Sequence, residues 1–244
     1  MEITLDLAFV RSLLDQERRT ARDDLRRVGA LHALTRSQPR HDARIAAGPD
    51  VETLACRAGC TWCCHFTVDV RPAEVFAIAD YIEHELGPAE RARIGTEVRA
   101  NAMQLADLDD GARVTRNIRC PFLSEGLCVI YPVRPQSCRN YHATDAAGCQ
   151  QSYEHPEDLD IDPEFAAGVY QAGAAHVEAF NLSLAEDGFD VSAYELNMAL
   201  AAAWAEPDSR QRFESGRKPF ANLDGEEVPL EFDDLEDVGA VNGI

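Results

Sequence analysis

Four cysteines fall within nine residues, Cys56-Arg-Ala-Gly-Cys60-Thr-Trp-Cys63-Cys64, and four more follow at Cys120, Cys128, Cys138 and Cys149. Isolated cysteines often serve as small buried hydrophobes, but that role does not explain four packed this tightly. The opening MEITLDLAFVRSLLDQERR has acids where an export signal needs bases, and its apolar residues alternate instead of forming a continuous run. A cytoplasmic, reducing setting is therefore expected, where clustered thiols are metal ligands in preference to disulfides. A chain of 244 residues also has enough core to fold without covalent staples.

The spacing bears on the metal site. Short gaps from Cys56 to Cys60 and Cys63 let one tight turn aim several sulfurs at a point, whereas Cys120, Cys128, Cys138 and Cys149 must be delivered by the fold. Cys63 and Cys64 are neighbours whose side chains diverge, so one of the pair could serve a second site. Two sites of four thiolates, or one site with spare thiols, both fit this spacing.

The residues around the thiols sharpen the chemistry. Arg57, Arg119 and Arg139 each adjoin a cysteine and Arg134 lies four residues before Cys138, so all four are candidate cofactor-binding groups. Cations there lower thiol pKa values and offset the charge of thiolate ligands. CPFLSEGLCVIY reads as a small hairpin turning at Ser124-Glu125-Gly126 and presenting Cys120 and Cys128. Pro135 can open a helical turn that sets Cys138 near its start. His65 and His142 flank the two groups and are expected to support or pack against the ligands.

Charge narrows the partners. With 43 acids against 23 bases the formal net charge is -20, which disfavours nucleic acid and anionic membrane surfaces. The longest apolar stretches, such as Met198–Ala205, fall well short of the ~20 residues of a membrane helix. Only one base is a lysine, a usage that suggests a GC-rich bacterial genome.

Away from the cysteines the periodicity is helical. Leu7, Val10, Leu14, Ala21, Leu25, Val28 and Leu31 mark an amphipathic helix from about Leu5 to Thr35, whose arginines could dock an acidic partner but suit a solvated face better. Pro72 opens a helix that stops at Gly87, and Pro88 opens the next. Asp162-Pro163 predicts the start of a helix with Phe165, Val169, Ala172, His176, Phe180 and Leu184 in one stripe. Ser192 and Glu195 fit a capping box for a last helix that Pro207 ends.

The expected fold is mainly α, with helices wrapping a cysteine-rich metal centre that contains a small β-hairpin or knuckle. The expected organisation is an N-terminal helix over 1–50, a cysteine-cluster domain over 51–150 and helices over 151–220 on the same core. An acidic segment over 221–244, with eight acids and no base, is expected to be disordered or loosely docked.

Cys56, Cys60, Cys63 and Cys64, then Cys120-Pro121-Phe122-Leu123, Gly126, Cys128, Ile130-Tyr131, Arg134-Pro135 and Cys138-Arg139, resemble the YkgJ family of cysteine cluster proteins. Three residues instead of two separate the first two cysteines, and Cys149 lies beyond the shared motif. The resemblance implies a zinc- or iron-chelating domain, and its link to flagellin lysine N-methylases implies S-adenosylmethionine chemistry in some members. Cys56-x3-Cys60-x2-Cys63 also matches the radical S-adenosylmethionine cluster loop, but that class needs a strand-rich barrel the sequence does not suggest.

Together these features point to an iron-sulfur protein, with a [4Fe-4S] cluster on Cys56, Cys60, Cys63, Cys64, Cys120, Cys128, Cys138 and Cys149 as candidate ligands, acting in electron transfer, redox sensing or supported catalysis. An enzyme of this kind would be an iron-sulfur-dependent oxidoreductase or a protein methyltransferase. The alternative is a zinc-stabilised module that binds a protein partner.

Overall fold

The computed structural model describes residues 7–227. The chain is mainly α, as the periodicity predicts. Helix α1 (Leu7–Ala46) is followed by α2 (Pro72–Glu85), α3 (Pro88–Ala106) and the short α4 (Asp110–Val114). After the second cysteine group begins come α5 (Gln136–Asn140), α6 (Ala146–Glu154), α7 (Ala167–Glu186), α8 (Leu196–Ala205) and α9 (Ser209–Glu214). Strands are confined to two antiparallel pairs, β1 (Asp69–Val70) with β4 (Tyr194–Glu195), and β2 (Leu123–Ser124) with β3 (Leu127–Cys128). No helix among the described residues is long and apolar enough to cross a membrane.

Helix α1 runs past the expected end at Thr35. Gly29 breaks it with φ 76 and ψ 170, a conformation open to glycine, and Pro39 lies inside the second half. The segment stays helical because the residues after the break are buried: Ala33, Leu34, Ser37, His41 and Ile45 pack inward, with α7 as the main partner of α1. Tertiary packing here outweighs the local cost of proline.

Two helix starts differ from expectation for one reason. Residues predicted to open helices are taken by β-type pairing. Thr144 N–H donates to Glu164 C=O at 2.8 Å and Ala143 bridges Phe165, so the helix after Asp162-Pro163 begins only at Ala167. Asp50 then supplies the cap from a distance, accepting from Gly168 N–H (2.8 Å) and Val169 N–H (2.9 Å). Likewise Tyr194 pairs with Val70, so Glu195 caps α8 by accepting from Met198 N–H at 2.9 Å, while Ser192 Oγ donates to Asp190 instead. Gly188 follows the end of α7 with φ 83, a conformation open to glycine.

The main core is built from residues of α1, α2, α3, α7, α8 and α9. Phe76, Phe213 and Phe220 are buried there in ring contact, with centroids 5.6 and 6.0 Å from Phe76. Within the acidic segment, Glu226 bridges Ala193, so residues up to 227 return to the core; residues 228–244 of that segment lie outside the described residues.

A polar seam joins α1 to α7. Glu17, Ser37, His41 and His176 are each 0% exposed. Arg40 forks onto Glu17 at 2.7 and 3.0 Å, and Ser37 Oγ donates to Glu17 at 2.8 Å. With its proton given to Glu17, Ser37 accepts from His176 Nε2 at 2.8 Å. His176 Nδ1 faces Glu17 at 3.4 Å, which would favour a charged ring, yet Arg40 and Arg44 already neutralise that carboxylate. Burial therefore dominates and takes His176 down to about 2, with His41, Arg44 and Arg40 adding repulsion. His41 stacks on His176 at 4.9 Å and falls to about 3, by burial first and then by Arg139, His142 and Arg134 against the opposing pull of Asp42.

Both rings are neutral in the folded chain and charge on unfolding below about 6.5. The unfolded state then binds more protons, so stability falls as pH drops below that value, by about 1.4 kcal/mol per pH unit for each ring. Urea unfolding of the His176→Gln variant between pH 6.5 and 4.5 should show a shallower loss than the parent, by one proton's slope. Thiol protonation is common to both chains and cancels in the difference, so identical slopes would contradict a neutral His176.

Candidate metal centre

Three backbone stretches gather the thiols. In the first, Ala55 N–H donates to Ala143 C=O at 2.9 Å, and Cys56 Sγ lies 3.9 Å from the carbonyls of Tyr141 and Ala143. Gly59 reverses the chain with φ 88, which lets Cys60 N–H reach Arg57 C=O at 3.0 Å. A single 3-10 turn, Trp62–His65, then carries Cys63 and Cys64.

The second stretch lies directly against that turn. Ile118 N–H donates to His65 C=O and Cys120 N–H to Cys64 C=O, both at 2.7 Å. The hairpin β2–β3 follows, turning on Glu125 (φ 49) and Gly126 (φ 79), the pair of positive φ values that a two-residue turn requires. Cys128 stands opposite Leu123 in the register, so the expected hairpin forms, with Cys120 just before its first strand.

The third stretch brings Cys138 and Cys149. Pro135 precedes α5 as predicted, and the buried carboxylate of Glu74 holds that turn by accepting from Gln136 N–H at 2.6 Å and from Arg71 N–H at 2.8 Å. Helix α6 lies across the Trp62–His65 turn. The Tyr153 ring sits 5.3 Å from Trp62 and 4.8 Å from His65, and its carbonyl accepts from Asn117 Nδ2 at 2.6 Å. Cys149 on this helix is buried.

All eight cysteines are free thiols. Cys63 donates to Cys64, which is the main cause of a shift of Cys64 down to about 7, with Arg119 helping and burial opposing. Cys63, as the donor in a buried place, is held far above its ordinary value. Burial pushes Cys120 up to about 12 and Cys149 up to about 11, the latter opposed by a hydrogen bond with Tyr141. Burial also raises Cys128, against the Ile130 N–H, Arg134 and Arg139. Cys138 is raised well above its ordinary value by close packing and by Cys120, Cys128 and Cys64, although the residue keeps solvent contact.

The four arginines separate into distinct roles. Arg139 is 1% exposed and bonds Asp42 of α1 at 2.6 Å, the Arg134 carbonyl at 3.2 Å and the Pro132 carbonyl. Arg134 shares Asp42 at 3.1 Å and lies over the Tyr131 ring at 3.9 Å. Arg119 pairs with Glu97 at 3.1 Å and with the Leu123 carbonyl while facing Cys64. Arg57 is exposed. His65 bonds the Thr61 carbonyl at 3.1 Å and packs on Tyr153, and burial lowers His142. Asp42, Glu74, Tyr141 and Tyr153 hold this region without any local sequence signal of that role.

A tetrahedral zinc ion needs four donors about 2.0–2.3 Å from one point. Among the described residues no group of three or more Cys, His, Asp or Glu side chains is arranged to hold a single ion in that way. The donor chemistry, eight unpaired thiols in one region, nevertheless suits zinc or iron.

Residues 55–158 match the CxxCxxCC family model. That model is described as a "Putative zinc- or iron-chelating domain", and the matched span contains all eight cysteines. No curated protein and no solved structure matches the chain. The match supports metal binding by the cysteine-rich segment and places it on the elements between α1 and α7.

Replacing Glu74 by alanine leaves the buried Gln136 N–H and the half-buried Arg71 N–H without acceptors at the junction of α2 with the Pro135 turn. A loss of about 3 kcal/mol is expected at 1–3 kcal/mol per orphaned donor. Urea midpoints at unchanged m-value measure it, and a shift under about 1 kcal/mol would show that the carboxylate does not hold this junction.

Proposed function

We propose that the chain is an iron-sulfur protein of the [4Fe-4S] type, working in electron transfer or redox sensing. The observation that supports this best is the donor set: eight free thiols lie within the matched span, more than one tetrahedral ion takes. A polynuclear cluster takes its thiolates on different irons and spreads them wider than one tetrahedral ion does. When bound, such a cluster supplies one-electron transfer.

The chain's own groups suit that use. Arg119, Arg134 and Arg139 place positive charge toward Cys64 and Cys128, which favours thiolates and the more negative redox state of a cluster. Cys56 and Cys138 keep solvent contact, so electrons have a short way in from a protein partner. Cytoplasmic residence accords with this reading, because reduced thiols persist there. The resemblance to YkgJ proteins rests on the same cysteines.

A methyltransferase or radical S-adenosylmethionine role has less support, because that radical class is built on a barrel and strands among the described residues are two residues long. The second reading is a zinc-stabilised interaction module, favoured by a family description that names zinc beside iron and by the knuckle-like hairpin. Anaerobic purification should yield coloured protein with iron and acid-labile sulfide, whose visible absorbance bleaches on reduction. Colourless protein with stoichiometric zinc and no iron would overturn the cluster reading and install the zinc one.

A further inference from the structure

A cleft of about 500 Å³ opens where α2, α3 and the α8–α9 corner meet. That volume falls within the range of small-molecule sites, roughly 300–1,000 Å³. Its apolar lining includes the buried Phe76 and Ile82 and the exposed Trp204 and Pro207. No cysteine lines it.

The charged groups around this lining are used by the fold to different extents. Arg210 is fully engaged: it forks onto Asp80 at 2.5 and 3.1 Å and lies over the Phe76 ring at 5.2 Å. Arg91 reaches the Glu83 carbonyl at 2.8 Å and pairs with no carboxylate among the described residues. Arg99 has no hydrogen bond or ion pair among the described residues. Three guanidinia against the carboxylates of Asp80 and Glu83 leave the cleft one positive charge, in a chain whose formal net charge is -20.

Gly95 accounts for the position of Arg99. Arg91, Gly95 and Arg99 follow one another at four-residue steps and so share one face of α3. A glycine inside a helix is destabilising relative to alanine, and Gly95 does not have the positive φ that would require one. The three atoms that an added Cβ would approach most closely all belong to the Arg99 guanidinium, with Nη1 at 3.3 Å. Long side chains on a helix lean toward its N-terminus. The missing Cβ therefore lets Arg99 lie back over Gly95, along the face that lines the cleft.

We propose that this cleft binds a small monocarboxylate with an apolar body, its carboxylate held by Arg99, with Arg91 adding positive charge along the same face, and its body set against Trp204 and Phe76. Arginine presents paired N–H donors that match a carboxylate. A single surplus positive charge suits a monoanion, and Asp80 and Glu83 disfavour a phosphate dianion. Because no cysteine takes part, the proposal stands apart from the metal reading.

Calorimetric titration of the full chain with octanoate, acetate, 1-octanol and octyl phosphate tests it. Octanoate should bind one to one. Acetate, which lacks the body, and 1-octanol, which lacks the charge, should each bind about tenfold more weakly or worse, and octyl phosphate more weakly than octanoate. Arg99→Gln should weaken octanoate about tenfold at an unchanged urea midpoint, since Arg99 holds no other part of the fold. Gly95→Ala gives a reading that a merely structural glycine would not: alanine favours the helix, so the urea midpoint should rise while octanoate affinity falls. Absence of saturable octanoate binding, equal affinity for 1-octanol, tighter binding of octyl phosphate, or unchanged octanoate affinity in Arg99→Gln or Gly95→Ala would overturn the proposal.

Discussion

The buried guanidinium of Arg139 is the contact on which the cysteine region most depends. It reaches Asp42 on α1 and the carbonyls of Pro132 and Arg134, so one side chain fastens the first helix to the turn between Cys128 and Cys138. A buried charge left without partners is costly, and here several acceptors and one carboxylate surround it. Glu74 plays the complementary part a few residues away, as a buried carboxylate that accepts from Gln136 N–H at the start of α5. Between them these two groups set where Cys138 stands relative to the hairpin.

This arrangement explains why a chain rich in helices builds its cysteine region from turns. Most of the thiols are carried on or beside short irregular segments, a glycine turn, a 3-10 turn, a hairpin and a five-residue helix, while Cys149 stands on α6. Such segments have little intrinsic stability. They are held by one another, through backbone hydrogen bonds at 2.7 Å from Cys120 and Ile118 to the Cys64–His65 turn, and by Tyr153 of α6 against Trp62 and His65. Bound metal would add folding free energy to this region in particular, where the apolar core contributes least.

Charge is distributed with the same logic. The chain is strongly acidic overall, yet Arg119, Arg134 and Arg139 are concentrated beside Cys64 and Cys128. These arginines were legible in sequence only by their closeness to cysteines. The carboxylate that Arg134 and Arg139 share, Asp42, was not, because it arrives from a helix more than ninety residues earlier in the chain. The buried histidines of the α1–α7 seam show the converse. His176 falls on the apolar stripe of α7 as the periodicity indicates, but its hydrogen bond to Ser37 and its stacking on His41 depend on how the helices meet.

The sequence by itself determined the helical class, the α2 and α3 starts at Pro72 and Pro88, the Glu125-Gly126 hairpin and the cysteine-rich character of the centre. Each of these is set by local rules of backbone conformation, side-chain period or thiol chemistry. Only the tertiary structure decided that α1 continues through Pro39, that α7 waits until Ala167 behind the Ala143–Phe165 bridge, and that Asp50 caps it from across the chain. It also decided which cysteine segments meet: Cys120 N–H bonds the Cys64 carbonyl, and α6, which carries Cys149, lies against the first cysteine turn. Spacing limits which sulfurs can be near each other, but hydrogen bonds between distant segments and the packing of α6 choose among the arrangements that spacing permits.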